Sequence, residues 1–399
     1  MIQKSYKYRL YPNAEQQSLM SKHFGCVRYI YNWALSSKIE AYRAEKRTEN
    51  FVSLGNKLPQ LKQEFEWLKE VNSQSLQSSL KNVDNAFKRF FKEKKGFPRF
   101  KSKKRKQDSF HAPQFGEVDF YEKTISVPKI KGIKAVIDRK FEGIIKTITI
   151  SKTPSDKYFA SILVEINESI PVKPIIKEDK TIGIDVGLKS YVTLSNGEKI
   201  DNPKWLAKSQ SKLKYQQYVL SKMDKMNKTK DGKNRDKQRR KVARLHEKVR
   251  NQRDDFLHKL THKLTHDNQV DTLVVEDLSV TNMMKNHCLA GSIGDAAWGK
   301  FFKFLIYKCE WYGKNLLTIG MFEPSSKMCS CGVVNSSLKL SDREWTCVEC
   351  GTRHDRDTLA ANNIKYFGLL KQNKIPLEER KLTPVEIATL VVSKTQESN

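Results

Sequence analysis

Three carboxylates stand where an enzyme could use them. Asp185 ends the short apolar run Thr181-Ile-Gly-Ile-Asp185, Glu276 ends a second run, Thr272-Leu-Val-Val-Glu276, and the pair Asp355 and Asp357 opens a helical segment further on. Open sheets place their chemistry at the carboxyl ends of strands, so acids there can meet an acid at the start of a helix packed beside them. Taken singly, such an acid is more often a turn or cap residue. Three that converge would repel one another unless cations sat between them, and hard oxygen ligands suit magnesium or manganese. Two such ions about 3.5 to 4 Å apart can activate a water and stabilise the leaving oxygen of a phosphodiester.

The cysteines point to a second metal. Of the seven, Cys329, Cys331, Cys347 and Cys350 fall within 22 residues, and in a reducing compartment such a cluster reads as metal before disulfide. Cys347-Val-Glu-Cys350-Gly351 is a regular zinc knuckle, its gap letting both thiolates turn toward one ion and its glycine relieving the bend. Cys329-Ser-Cys331-Gly332 has one residue between thiols, a tighter bite. Four thiolates leave no open position, so one zinc here is expected to be structural. The blander alternative is four free thiols. The pairing, the glycine after each pair and Trp345 as a packing partner weigh against it.

The elements that must position these groups follow from periodicity. Lys4–Tyr11 alternates as a strand and stops at Pro12; Asn13 then caps a helix, with Gln16 completing a capping box. Helical spacing continues through Leu19, Phe24, Val27, Tyr31 and Leu35, and again through Leu76, Leu80, Val83, Phe87 and Phe91. From Ser109 to Glu165 the period is two, the pattern of a small antiparallel barrel. The opening strand needs a sheet partner, so the economical reading inserts the helical unit into that barrel. Beyond a Lys173-Pro174 linker come the strand ending on Asp185, a hairpin turning at Asn196-Gly197, a basic helical stretch over residues 206 to 265, the strand ending on Glu276, and a helix through Trp298 and Cys309.

Charge constrains the partner. Lysine and arginine number 74 against 45 acids, a net charge of +29 in 399 residues, while 10% aromatics argue against wholesale disorder. A surplus this large calls for a polyanion, most commonly nucleic acid. No apolar run approaches the roughly 18 residues of a membrane span, and the first twenty residues are polar, so a cytoplasmic protein without a membrane partner is expected.

The combination of motifs resembles the TnpB family, RNA-guided DNA nucleases of insertion elements related to type V CRISPR effectors. Ile184-Asp-Val-Gly187, Val275-Glu-Asp-Leu278 and Asp355-Arg-Asp-Thr-Leu-Ala-Ala-Asn-Asn-Ile364 are similar to that family's three RuvC segments. Tyr8–Pro12, Gly25–Trp33, Asn251–Arg253, Asp255–His258 and Pro324–Lys327 look like its other blocks. The resemblance implies a multidomain α+β fold with an RNase H-like RuvC nuclease domain, a wedge β-barrel, a helical recognition lobe and a small zinc-ribbon module. On that basis residues 1–11 are the first barrel strand, 12–105 the helical lobe, 106–178 the barrel, 179–324 and 352–372 the nuclease domain, 325–351 the zinc module and 373–399 a flexible tail. It further implies that Asp185, Glu276 and Asp357 are the catalytic, magnesium-binding acids. Asp357 is chosen over Asp355 because the family's third acid immediately precedes the helical block, in which Leu359 here replaces the usual asparagine. Asp277 would face away from Glu276 by strand alternation. The family commonly has two residues where Cys329 and Cys331 have one between them.

What the resemblance implies about partners is a guide RNA encoded near the element, one protein chain per guide, and a double-stranded DNA target in a prokaryotic cell, with the protein associated with the nucleoid. A short motif beside the target would be read by the helical lobe and wedge, for which Gln74, Gln77 and Lys81 are candidates. Lys88–Lys106 interleaves cations with aromatics, which suits phosphate contacts and base stacking. Arg99, Lys103, Lys104, Lys237, Arg239 and Arg240 are expected backbone contacts, whereas the spacing of Phe87 and Phe91 favours a core-facing role. Rival readings are an RNA-guided repressor that does not cut, a transposase or recombinase accessory protein, and a plain junction resolvase. Three retained acids disfavour the first, the resemblance implies that transposition belongs to a separate protein and so disfavours the second, and the helical lobe and the extent of basic surface disfavour the third.

Overall fold

The structure, a computed structural model, describes residues 1–103, 108–226, 232–267, 269–339 and 341–372. Lys104 and the tail expected from residue 373 lie outside these. The chain divides into two compact units, Met1–Ser169 with Asp231–Arg244, and Ile170–Lys230 with Leu245–Asn399.

In the first unit β1 (Ile2–Tyr11) leads into α1 (Ala14–Glu45), α2 (Phe51–Glu64), a 3-10 turn at Glu66–Glu70 and α3 (Ser73–Lys92). Asn13 and Gln16 make the expected capping box, each side chain bonded to the other's backbone N–H. A second capping box, Asn50 with Ser53, starts α2, which tolerates Pro59 in its interior. Six strands follow: β2 (Asp108–Ala112), β3 (Glu117–Asp119), β4 (Thr124–Val127), β5 (Ile130–Val136), β6 (Ile144–Lys152) and β7 (Tyr158–Ile166). They form one antiparallel sheet in the order β2-β6-β7-β1-β5-β4-β3. The opening strand therefore sits inside the sheet, Tyr8 opposite Ala160 and Leu10 opposite Ala135, with the helices inserted between it and its partners in sequence. Alternation buries Tyr158, Ala160, Ile162 and Val164 on one face of β7, in the same apolar core as Ile30, Leu35, Leu76 and Leu80 of the helices. Phe87 packs partly against that core. Phe91 does not: it is 73% exposed, because α3 outruns the surface it packs on.

The second unit is built on β8 (Thr181–Val186), β9 (Ser190–Leu194) and β10 (Lys199–Asp201), then α4 (Trp205–Met226), α5 (Lys233–His266) from Leu245 onward, and β11 (Thr272–Glu276). After α6 (Val280–Met283), α7 (Ala290–Ala296) and α8 (Trp298–Trp311) come β12 (Asn315–Ile319), β13 (Glu344–Thr346), β14 (Arg353–Asp355) and α9 (Arg356–Lys371). The sheet order is β10-β9-β8-β11-β12. β8 to β10 run antiparallel as a meander turning at Gly197, where φ is 89°, and β11 lies parallel to both β8 and β12. This is the RNase H-like arrangement. Arg253 of α5 pairs with Asp295 of α7 at 2.9 Å, and Asp295 also accepts from the backbone N–H of Leu206, fixing the start of α4.

Two glycines bring α9 onto the sheet. A Cβ at Gly183 in β8 would stand 2.0 Å from the carbonyl oxygen of Ala361, and one at Gly368 in α9 would stand 2.3 Å from Val274 Cγ1. The helix can lie this close only because both positions lack a side chain.

Candidate active site

The register explains how two of the acids meet. Ile184 and Val275 are the last paired residues of the parallel strands β8 and β11, so Asp185 and Glu276 follow them at the same end of the sheet. Asp357 lies in the first turn of α9, which packs over β8 and β11. All three line a single cleft of about 680 Å³. Burial, then repulsion from Asp357 and Glu276, pushes the Asp185 carboxyl up to about 7 against the opposing pull of Arg356 and Arg343. Burial raises Glu276 to about 6. Carboxylates this close and this poorly solvated favour protons or cations over standing together as bare anions. Hard oxygen donors in such a group fit divalent magnesium or manganese.

Asp355 is differently employed. It is the N-cap of α9, accepting from the Thr358 N–H at 2.9 Å, and it pairs with Lys199 at 2.8 Å. Burial opposes its ionisation, but Lys199 and the Thr358 amide outweigh that and hold the carboxyl below the usual range. Asp277 is exposed, past the end of β11, its N–H donating to the Ile319 carbonyl. Two groups to which the sequence assigned no role of their own frame the acids. Arg343 donates to Asp357 at 3.2 Å. Asn363, fully buried on α9, donates to the carbonyls of Ser325 and Met328 at 2.7 Å each, tying the helix to the loop that opens the cysteine module. Beyond its place in the Asp355–Ile364 block, the sequence signal for Asn363 is a polar residue on an otherwise apolar helix face. Arg343 lies 14 residues before its partner and had none.

The four cysteines converge despite the short first gap. Their Sγ atoms all lie within 4.8 Å of one another. Cys329 and Cys350 are 3.5 Å apart and Cys331 and Cys347 3.6 Å, close to the roughly 3.8 Å that tetrahedral Zn–S bonds of about 2.3 Å require. The set fits one zinc ion. Gly332 (φ 96°) and Gly351 (φ 70°) take the left-handed turn after each pair. The Thr352 hydroxyl first, then its N–H, pull the Cys350 thiol down to about 6, toward the thiolate a metal needs. His354 places Nε2 3.0 Å from Cys329 Sγ and packs against Trp345 in a tilted ring contact with centroids 4.8 Å apart. Its role was not visible in sequence, since a single histidine beside two acids carries no ligand spacing. Trp345 is buried with Cys329, Cys347 and Leu359, the packing expected of it. β14 runs from this module straight into α9, so the module's last strand ends on the N-cap of the helix that carries Asp357.

The expected nucleic-acid contacts lie in the first unit. Gln74 is half-buried and bonded to Gln114 at 2.7 Å, while Gln77, Lys81, Lys103 and Lys237 are exposed. Arg99 lines a cavity of about 290 Å³ with Arg28 and Lys101. Arg239 and Arg240 are half-buried and paired with Asp236 (3.1 Å) and Asp156 (3.2 Å), so neither is a free phosphate donor as it stands.

Comparison with known proteins finds relatives in sequence and in fold. Residues 161–287 match a family profile described as "Probable transposase", residues 1–47 one described as "Helix-turn-helix domain", and residues 298–364 one described as "Cas12f1-like, TNB domain". Where the second profile falls, the structure has a strand and one continuous helix of 32 residues. The chain is 39% identical over 376 residues to a Streptomyces pristinaespiralis protein named "Putative RNA-guided DNA endonuclease", covering 92% of this chain and 90% of that one. It is 31% identical to the Escherichia coli K12 protein named "Putative RNA-guided DNA endonuclease InsQ", covering 91% and 92%. In fold it is similar to the protein of a Cas12f1-sgRNA-target DNA complex solved by cryo-EM, with TM-score 0.55 and 15% identity, covering 91% of this chain and 98% of that one.

Proposed function

Since the chain belongs to the TnpB family, we propose from its relatives and its cleft that it is an RNA-guided DNA endonuclease, with Asp185, Glu276 and Asp357 as the acids of its cutting site. The observation that carries the site assignment is the convergence of these three side chains in one cleft where burial raises both Asp185 and Glu276 and repulsion from its two neighbours raises Asp185 further. The three carboxylates would hold divalent cations, magnesium or manganese and two in number. Ions so held supply an activated water and stabilise charge on the leaving oxygen.

The rest of the chemistry belongs to residues of this chain. Arg343, Arg356 and Lys327 line the same cleft and offer N–H donors to the phosphates flanking the scissile bond. Arg343 also neutralises Asp357 until a substrate phosphate competes for it. Asn363 and the N-cap Asp355 hold the start of α9, and so the third acid, in place. Cys329, Cys331, Cys347 and Cys350 hold one structural zinc that orders the segment bearing Arg343.

The target is double-stranded DNA, selected mainly by pairing with the guide RNA, with one chain per guide encoded near the element. A short adjacent motif is read by the helical region, with Gln77 and Lys81 as the exposed candidates. Among the described residues no helix is long and apolar enough to cross a membrane; we place the protein with the nucleoid of a prokaryotic cytoplasm. The test is cleavage of a plasmid carrying the guide-matched sequence by the chain with its copurified RNA and magnesium. Guide-dependent binding without any cut would favour the repressor reading instead.

A further inference from the structure

The first unit contains an aromatic groove that the cutting reaction leaves without a role. α3 ends at Lys92, and Lys94 takes a left-handed φ of 50°, so the chain folds back with the Lys95 N–H donating to the Arg89 carbonyl at 3.3 Å. That return lays Phe97 edge-on against Phe87 and Phe90, at centroid distances of 5.6 and 5.4 Å. Phe91 completes the cluster, 5.0 Å from Phe90. Tyr42 and Arg43 of α1 line the same groove, which encloses about 510 Å³.

The rings are not consumed by the core. Phe91 is 73% exposed, Tyr42 58% and Phe97 50%. The polar groups of the floor are already satisfied: Lys38 pairs with Asp84 at 2.7 Å, and the buried Glu49 takes both Arg47 (3.1 Å) and Lys57 (2.9 Å). The other cations differ. Arg43 lines the groove, and Lys88, Lys92, Lys94 and Lys95 belong to the segment that carries its phenylalanines; none of the five has a carboxylate partner among the described residues, and Glu93 is the lone acid between Lys88 and Lys95.

Flat exposed rings set among unpaired cations match one ligand chemistry, a single strand of nucleic acid, whose bases stack while its phosphates neutralise those cations. A duplex keeps its base faces inside. A protein partner lacking acidic groups of its own would have to desolvate these cations without a countercharge. The resident strand of an RNA-guided enzyme is its RNA, whereas target DNA comes and goes, and an apolar groove left open between targets would be an aggregation liability. We infer that the groove between α1 and α3 binds unpaired bases of the guide RNA, with Phe91, Phe97 and Tyr42 as the stacking faces. The inference rests on the RNA-guided reading above.

The test uses the full chain with its copurified RNA, irradiated with short-wave ultraviolet light and mapped by mass spectrometry of the digested complex. A nucleotide adduct on the peptide carrying Phe91 or Phe97 is expected. The double variant F91L/F97L keeps apolar volume but loses the flat faces, and should weaken RNA affinity about fivefold or more, whereas F91Y/F97Y should stay within about twofold of the parent. Adducts elsewhere together with unchanged affinity in F91L/F97L, while the parent still binds RNA and cuts, would sink this inference and leave the RNA-guided reading standing. An adduct that appears only with target present, on the DNA strand, would overturn the choice of RNA. Copurification of differently tagged copies that depends on Phe91 would make the groove a self-interface instead. A chain that binds no RNA at all would overturn the guided reading and this inference with it.

Discussion

Only six residues lie between Cys350 and Asp357 in sequence, yet the two candidate metal centres of the second unit are opposites. The acid cleft is open; burial raises Asp185 and Glu276, and at Asp185 repulsion from Asp357 and Glu276 adds to it despite the opposing pull of Arg356 and Arg343. The thiol cluster is closed: four sulfurs already sit near tetrahedral spacing, with His354 against Cys329 and Trp345 over the module core. A centre left electrostatically unsatisfied suits ions that exchange with substrate and solvent. One satisfied by four soft ligands suits an ion that stays and holds the fold.

The largest effect should come from the open centre. Asp185→Ala, Glu276→Ala or Asp357→Ala should each lower cleavage by about a thousandfold or more while guide-directed DNA binding persists, measured by plasmid cutting beside a filter-binding assay. Asp355→Ala should still cut appreciably, since it removes a cap and a pair to Lys199 rather than a cleft ligand. A dead Asp355→Ala beside an active Asp357→Ala would reverse the assignment of the third acid.

The closed centre should respond differently. Purified chain should carry about one zinc that magnesium buffers do not displace, and Cys347→Ser should lose it and loosen the module locally, because binding and folding energy are shared there. Cleavage should fall more than guide binding, since the module runs into α9. Elemental analysis finding no zinc in active, chelator-free protein would erase the contrast between the two centres.

A smaller effect concerns charge within the cleft. The folded-state pKa of Asp185 is raised, so its contribution to stability is fully present below its ordinary value of 3.8 and is lost as pH rises through about 7. Asp185→Asn, which cannot ionise, should therefore raise the Tm of metal-free protein by a few degrees at pH 8 and change little at pH 4. Magnesium should shrink the difference at pH 8 by stabilising the parent. An equal Tm for both proteins at pH 8 without metal would mean that the acids are not crowded.

The smallest single-residue effects should lie on the basic surface. Affinity for DNA should fall with salt at a log-log slope of about 0.9 per neutralised phosphate. Lys237→Glu should reduce that slope without changing which sequence is chosen, and Arg240→Glu should in addition disturb the pair with Asp156. A slope unaffected by Lys237→Glu would remove that residue from the path.

What the sequence made legible was local or repeated. The capping box at Asn13, the alternation in β7, the two strand ends carrying acids and the paired cysteines are all statements about neighbours in the chain, and the structure has each of them. Tertiary placement was not legible in the same way. Phe91 keeps helical spacing with Leu80 and Val83 but overshoots the core, so periodicity assigned it inward. Arg240 read as a free cation until the fold brought Asp156 to it, whereas Arg239 pairs with Asp236 one turn earlier on the same helix. His354, Arg343 and Asn363 act only because β14 and α9 bring distant loops together, and no spacing rule anticipates that.

The two glycines under α9 have one more consequence. Helix and sheet meet at a clearance smaller than a methyl group, at Gly183 near one end of the contact and Gly368 near the other. A side chain at either point would act as a wedge beneath a lever that carries Asp357 at one end. The working geometry of the cleft is thus hostage to two residues that carry no functional group, and a lineage could lose cutting while every acid remains in its sequence.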